Sequence, residues 1–226
     1  MPQNPQARNP ARDVGLFTVI DGQAGVGKTT ATALTAARLA AQDLPVLATR
    51  QPSDSPIGTL ARASTHNLHG LPLTFLMAAD RYYQQEHVIC PALAAGQIIV
   101  CDRYVTTAMV LDQIDGAEPE FVWNIYRYLT WPDLAIVLTG DPAVCRARAA
   151  RRGLYSRFHE GGTRAAETEA ALYASTAAML TNYGYPIQMV QVRDQNADQV
   201  SETVTGLIRE RMTGSPTNPR KGGTGQ

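Results

Sequence analysis

An α/β domain, built on a doubly wound parallel sheet of about five strands flanked by helices, is predicted for this chain of 226 residues by three observations. Short apolar runs alternate with longer stretches of helical period. The first run ends in a glycine-rich turn that opens directly into a helix. Charged residues then recur at the carboxyl ends of the runs, where such sheets bind ligands. Twenty basic and twenty acidic side chains cancel, so no global charge draws the chain to nucleic acid or to an anionic membrane. Cys90, Cys101 and Cys145 are odd in number, lack metal-type spacing and sit in apolar surroundings, as reduced thiols of a cytoplasmic protein would. No apolar run approaches the roughly 18 residues of a membrane helix, and the N-terminus lacks the apolar core of an export signal.

In chain order, Leu16–Ile20 is the first strand, Thr29–Gln42 the helix after the glycine turn, and Pro45–Thr49 a second strand running into the loop RQPSDSPIG. A short helix is expected to about Ser64. From Pro72 to Gly96 the period is helical, with Pro91 expected to kink or divide the helix and Gly96 to end it. Ile98–Cys101 is wholly apolar, as a central strand buried on both faces would be, and it delivers Asp102 and Arg103 to its edge. Helices are expected at Val105–Ile114 and Glu118–Leu129, parted by Asp115-Gly116. Leu134–Leu138 is a fourth strand, and Asp141-Pro142 is a helix start with its cap and its first-turn proline. The helix Pro142–Arg152 ends at Gly153, and LYSRFHEGGT reads as a lid loop. A helix from Arg164 to about Asn182, the strand Ile187–Val192 and the helix Ala197–Met212 complete the domain. Residues 1–13 and 213–226, rich in Pro, Gly and polar residues, are expected to be disordered tails around a domain at 14–212.

Gly22 to Thr29 fit G-x-x-x-x-G-K-[ST] in the strand-to-helix context the motif requires. Gly22, Gln23, Ala24, Gly25, Val26 and Gly27 are thus expected to turn backbone N–H groups toward phosphate oxygens at a helix N-terminus, with Thr30 alongside. Lys28 would reach the outer phosphates and the Thr29 hydroxyl would hold Mg²⁺. A glycine turn that binds nothing is the plainer reading, and the lysine and threonines at these offsets argue against it. Asp102, ending an apolar strand, suits a carboxylate that holds the same Mg²⁺. It could also be an ordinary helix cap.

Arg50, Arg62, Arg81 and Arg103 follow or flank core elements at one sheet edge, where guanidinium forks suit phosphate. Arg146, Arg148, Arg151, Arg152 and Arg157 cluster after the fourth strand. Without interleaved aromatics or a basic balance they fit a lid closing over a phosphoryl group better than a nucleic-acid patch. His66 and His69 read as surface residues, because no further ligand type stands at metal spacing beside them. Tyr82, Tyr83, Trp123 and Tyr126 read as packing residues.

The blocks VIDGQAGVGKTT, TRQPSDSPIG, MAADRYYQQEHVICPALAAGQIIVCDRY and LYSRFHEG, in this order and spacing, resemble thymidylate kinase, a family of P-loop nucleoside monophosphate kinases. The resemblance runs from about Leu16 to Tyr173. It implies transfer of the ATP γ-phosphoryl group to a nucleoside monophosphate with Mg²⁺, and a homodimer packed through helices. By matching position it also implies that Arg81 lies between acceptor phosphate and base. Arg103 would bridge the acceptor and donor phosphates, Arg50 and Arg62 would surround the acceptor phosphate, Arg148 would lie near adenine, and Arg157 would be a lid arginine.

The departures from the family fall on the acceptor side. Ala24 replaces an acidic residue that contacts the acceptor sugar, and the lost charged hydrogen bond is worth about 1.5–3 kcal/mol. Met77 stands where an aromatic ring stacks on thymine, and a sulfur contact with a ring supplies about 0.3–1.5 kcal/mol. Ala108 and Leu111 replace polar and tyrosyl side chains, and Gln51 replaces a glutamate. Three readings follow. The first is a dTMP kinase-like enzyme. The second is a P-loop kinase of a modified nucleotide, a nucleoside or another small metabolite. The third, a nucleotide-binding regulator without turnover, is opposed by the presence of Lys28, Asp102 and Arg103.

Overall fold

Five parallel strands, β1 (Leu16–Gly22), β2 (Val46–Arg50), β3 (Ile98–Asp102), β4 (Leu134–Thr139) and β5 (Ile187–Gln191), lie side by side in the order β2-β3-β1-β4-β5. They belong to a computed structural model that describes residues 15–151, 158 and 162–214. Residues 1–14 and 215–226, and the stretch 152–161 expected as a lid apart from Phe158, Arg157 included, lie outside the described residues.

Why these runs form strands is visible in where alternate residues go. Phe17, Val19, Ile99, Cys101 and Ala135 enter one core, while Ile20, Ile98, Val100, Ile136 and Leu138 enter another on the opposite face. Alternate positions that are mostly apolar on both faces fit a sheet covered on both sides. Burying each side chain of this size contributes about 1.5–3 kcal/mol, so the three inner strands carry most of the sheet's stability. The edge strands β2 and β5 are only half-buried.

The helices are α1 (Lys28–Ala40), α2 (Pro56–Ala63), α3 (Leu71–Gln84), α4 (Cys90–Ala94), α5 (Val105–Ile114), α6 (Pro119–Tyr126), α7 (Pro142–Arg151), α8 (Thr163–Asn182) and α9 (Ala197–Met212). Leu39 of α1 and Val204 and Ile208 of α9 cover one face of the sheet. Met109 of α5, Val122 and Trp123 of α6 and Leu180 of α8 cover the other. Helix starts follow their sequence signals. Asp141 accepts from the N–H groups of Ala143 and Val144 ahead of α7, and Asn196 and Gln199 form a reciprocal capping box on α9.

The helix expected from Pro72 begins at Leu71 and divides at a π-helical turn, Gln85–Ile89, just ahead of Pro91. In an uninterrupted α-helix the Pro91 ring would meet the carbonyl four residues earlier, and one wide turn relieves that clash. Gly96, in the left-handed region at φ 78°, follows α4 as expected.

Candidate active site at the carboxyl edge of the sheet

The phosphate loop sits between β1 and α1, and two of its glycines are required by their surroundings. A Cβ on Gly22 would lie 2.1 Å from the Leu138 carbonyl oxygen, and one on Gly25 would lie 2.0 Å from that of Cys145. The loop is pressed against both β4 and α7, and the positive φ values of 138° and 78° at these positions favour glycine. The Gln23 side chain fastens it further by accepting from the Gly140 N–H at 2.7 Å. Lys28, 4% exposed, donates to the carbonyls of Gly22 and Gln23, both at 2.6 Å. Burial pushes its pKa down to about 7, with Arg103 acting in the same direction and Asp102, Glu169 and Asp21 opposing.

Asp102 ends β3 and meets the loop, accepting from the Thr29 hydroxyl at 2.6 Å. Its other oxygen, Oδ1, is buried and has no partner among the described residues. A hydroxyl and a carboxylate joined at the mouth of the loop, with one carboxylate oxygen to spare, form a donor set that fits Mg²⁺. Asp102 is not the helix cap that the alternative reading allowed. The cap is Asp21 at the end of β1, whose Oδ1 accepts from the N–H groups of Tyr104 and Thr107 and from the Thr107 hydroxyl. One β1 carboxylate therefore holds the first turn of α5. Between Asp102 and α5 lies Arg103, a non-glycine residue at φ 70°, a conformation costing about 1–3 kcal/mol that clusters at functional sites.

On the other side of Asp102, β2 delivers Arg50 in register with it. The following loop is pinned from behind by Asp80 of α3, which is fully buried. Its carboxylate accepts from the Ser53 N–H and hydroxyl at 2.7 and 2.5 Å and from the Ser55 hydroxyl at 2.9 Å. Arg62 of α2 donates to the carbonyls of Pro52 and Ser53. Arg81, next to Asp80, is buried with its guanidinium 5.2 Å from the Tyr126 ring centre, and its Nη1 donates to the Met77 carbonyl at 3.0 Å.

Met77 and Leu111 are half-buried. Ala108 packs into the core and offers no polar atom. Behind them Asp112 accepts from the Thr74 and Tyr126 hydroxyls. Burial raises its carboxyl pKa, against the lowering effect of Arg81 and these two donors. Tyr126 is thus more than packing, and Tyr83 is stacked on His87 at the surface.

A cleft of about 200 Å³ opens behind the loop between Gly25, Thr30, Arg148 and the start of α9. Arg148, expected near adenine, lines this cleft. Gln195 also lines the cleft, and its buried side-chain oxygen has no partner among the described residues. Glu169 of α8 accepts from the Ala24 N–H at 3.0 Å. Burial raises its pKa while Lys28, the Ala24 N–H and Arg103 lower it. Neither Glu169 nor Gln195 was a sequence-predicted site residue. Glu169 lies in an alanine-rich helix beside the exposed Glu167, with no local mark to separate the two.

Among the described residues no helix is long and apolar enough to cross a membrane. A family model described as thymidylate kinase matches residues 20–183. The chain is 34% identical over 147 residues to a probable thymidylate kinase of Caldivirga maquilingensis, covering 63% of this chain and 72% of that one. It is 33% identical over 157 residues to a thymidylate kinase of Deinococcus radiodurans, covering 65% and 75%. A probable thymidylate kinase of Pyrobaculum aerophilum is 30% identical over 199 residues, covering 85% and 98%.

Proposed function

Because this chain belongs to the thymidylate kinase family and is an ATP-dependent nucleoside monophosphate kinase, we propose that dTMP is its acceptor and that the edge residues divide the reaction as follows. Lys28 and the amides of Gly22 to Thr29 hold the donor phosphates, with Arg148 and Gln195 at adenine. Arg103 stands between donor and acceptor phosphates, where it neutralises charge developing on the transferred group. Arg50 and Arg62 face the acceptor phosphate, and Arg81, backed by Tyr126, orients the acceptor between its phosphate and base. Thr29 and Asp102 would hold Mg²⁺, which when bound supplies charge neutralisation on the phosphates. No covalent intermediate is needed, since positioning and preorganised charge account for this class of transfer. Arg157 is assigned a closing role over the phosphoryl group by family position, and residues 14–212 are taken as the catalytic domain. The observation that carries the reading is Arg103, held in a strained conformation beside Lys28 and Asp102.

The deciding experiment measures ADP release from ATP with dTMP, dUMP, other nucleoside monophosphates and free nucleosides, with and without Mg²⁺. dTMP is expected to be the best acceptor and chelation of Mg²⁺ to stop the reaction. Turnover with another nucleotide but none with dTMP would reject the acceptor assignment and keep the kinase.

A homodimer is part of the same proposal. Phe75 of α3 and Phe121 of α6 are 53% and 42% exposed and meet edge-on with centroids 6.4 Å apart, beside the exposed Leu71. A paired aromatic patch of this kind suits a partner. The Phe75→Glu, Phe121→Glu double variant is expected to sediment as a monomer where the unaltered protein sediments as a dimer. Identical sedimentation of the two would place the contact elsewhere.

A further inference from the structure

We propose that Asp54 is a built-in counter-anion of the acceptor-phosphate cradle, which an incoming phosphate dianion displaces and weaker anions do not. The inference rests on the reading of Arg50 and Arg62 as that cradle. A single oxygen of Asp54, Oδ1, lies 2.6 Å from Arg50 Nη2 and 3.6 Å from Arg62 Nη1. The two guanidinium groups come from different elements, the end of β2 and α2, so one carboxylate occupies the focus of both.

Its place there is fixed by its neighbours. Ser53 and Ser55, on either side of Asp54, are both tied to the buried Asp80. Arg62 is also anchored, because its Nη2 donates to the Pro52 and Ser53 carbonyls while its Nη1 faces Asp54. Asp54 is thus presented outward from a pinned loop. The charged side chains remain reachable, at 72% exposure for Asp54, 55% for Arg50 and 41% for Arg62.

An exposed carboxylate–guanidinium pair is held weakly. A phosphate monoester near neutral pH brings almost two charges and three acceptor oxygens, enough for both forks. A chloride ion or an isolated carboxylate brings one charge and only matches what Asp54 already supplies. A neutral nucleoside brings none and leaves Asp54 in place. Asp54 is therefore a specificity-determining residue, which keeps the cradle closed to monoanions at a modest loss of acceptor affinity.

The test is steady-state kinetics of Asp54→Asn, which keeps the shape and removes the charge, with dTMP as acceptor. The KM for dTMP is expected to fall roughly two- to fivefold, the range of an exposed ion pair, with the KM for ATP unchanged. Inhibition by chloride, competitive with dTMP, is expected to strengthen by a similar factor. An unchanged or raised dTMP KM in Asp54→Asn would overturn the proposal, since a residue that merely positioned the arginines would raise it. Arg50→Ala and Arg62→Ala are run in parallel. A raised dTMP KM in both supports the cradle independently of Asp54, while no change in either removes the cradle reading and the proposal with it.

Discussion

Lys28→Ala is expected to lower kcat by roughly 10²–10³-fold, the loss found when one preorganised donor is removed from a developing charge. Lys28 is buried against two loop carbonyls, so its amino group is held at the glycine turn proposed to receive the phosphates. A variant keeping more than about a tenth of the activity would mean that the phosphates are held elsewhere. The same side chain gives a proton signature. Burial and Arg103 push its pKa from 10.5 to about 7, and bound phosphates favour the charged form, so they raise it again.

ATP binding at pH 8 is therefore expected to take up protons. In calorimetry the apparent binding enthalpy should vary with the buffer's ionisation enthalpy, and Lys28→Ala should lose that dependence. The sign for folding is consistent. Between about 7 and 10.5 the unfolded chain carries the proton that folded Lys28 has released, so the stability of the free protein rises with pH across that window. The contribution is complete above the unfolded value and is lost as pH falls through the folded one.

Arg103→Gly is expected to move activity and stability in opposite directions. Arg103 holds φ 70° while its N–H donates to the Ile20 carbonyl at 3.0 Å, so the backbone path is required whichever side chain is present. Glycine accepts that path freely. Part of the 1–3 kcal/mol of strain is recovered, offset by about 0.5–1 kcal/mol of added unfolded-state freedom, which leaves a gain of about 1 kcal/mol. Turnover should fall by roughly 10²–10³-fold, because the charge at the transfer point is gone. Thermal unfolding beside kcat makes the check. A variant that loses stability as well as activity would show that the guanidinium holds the structure together and is not maintained for chemistry.

The parts of the site that were legible in the sequence are those encoded locally. Gly22, Lys28 and Thr29 lie within one short motif, Asp102 ends an unbroken apolar run, and Asp141-Pro142 is a cap with its first-turn proline. Each carries its physical reason in adjacent residues. Asp80, Glu169 and Asp21 do not. Asp80 acts on residues 27 positions away, and the Ala24–Glu169 bond spans 145. Asp21 reaches across to Thr107 through the pairing of β1 with β3. A carboxylate on a helix looks solvated until the partner that buries it is known, and only the assembled sheet supplies that partner. The same holds for the division of the helix ahead of Pro91. The proline announced a break, but the clash falls on the turn before it, so the wide turn sits at Gln85–Ile89.

The strand order β2-β3-β1 puts the third strand in the sequence between the first two. The glycine loop joins β1 to α1, neighbours in the chain, and rests against β4 and α7. Asp102 and Arg103 arrive only when β3 slots between β1 and β2, two strands that do not pair with each other. Any opening that lets β3 slip out takes Asp102 and Arg103 away together and leaves the loop behind. Nucleotide binding is therefore expected to need β1, β4 and the loop, and turnover to need β3 seated as well.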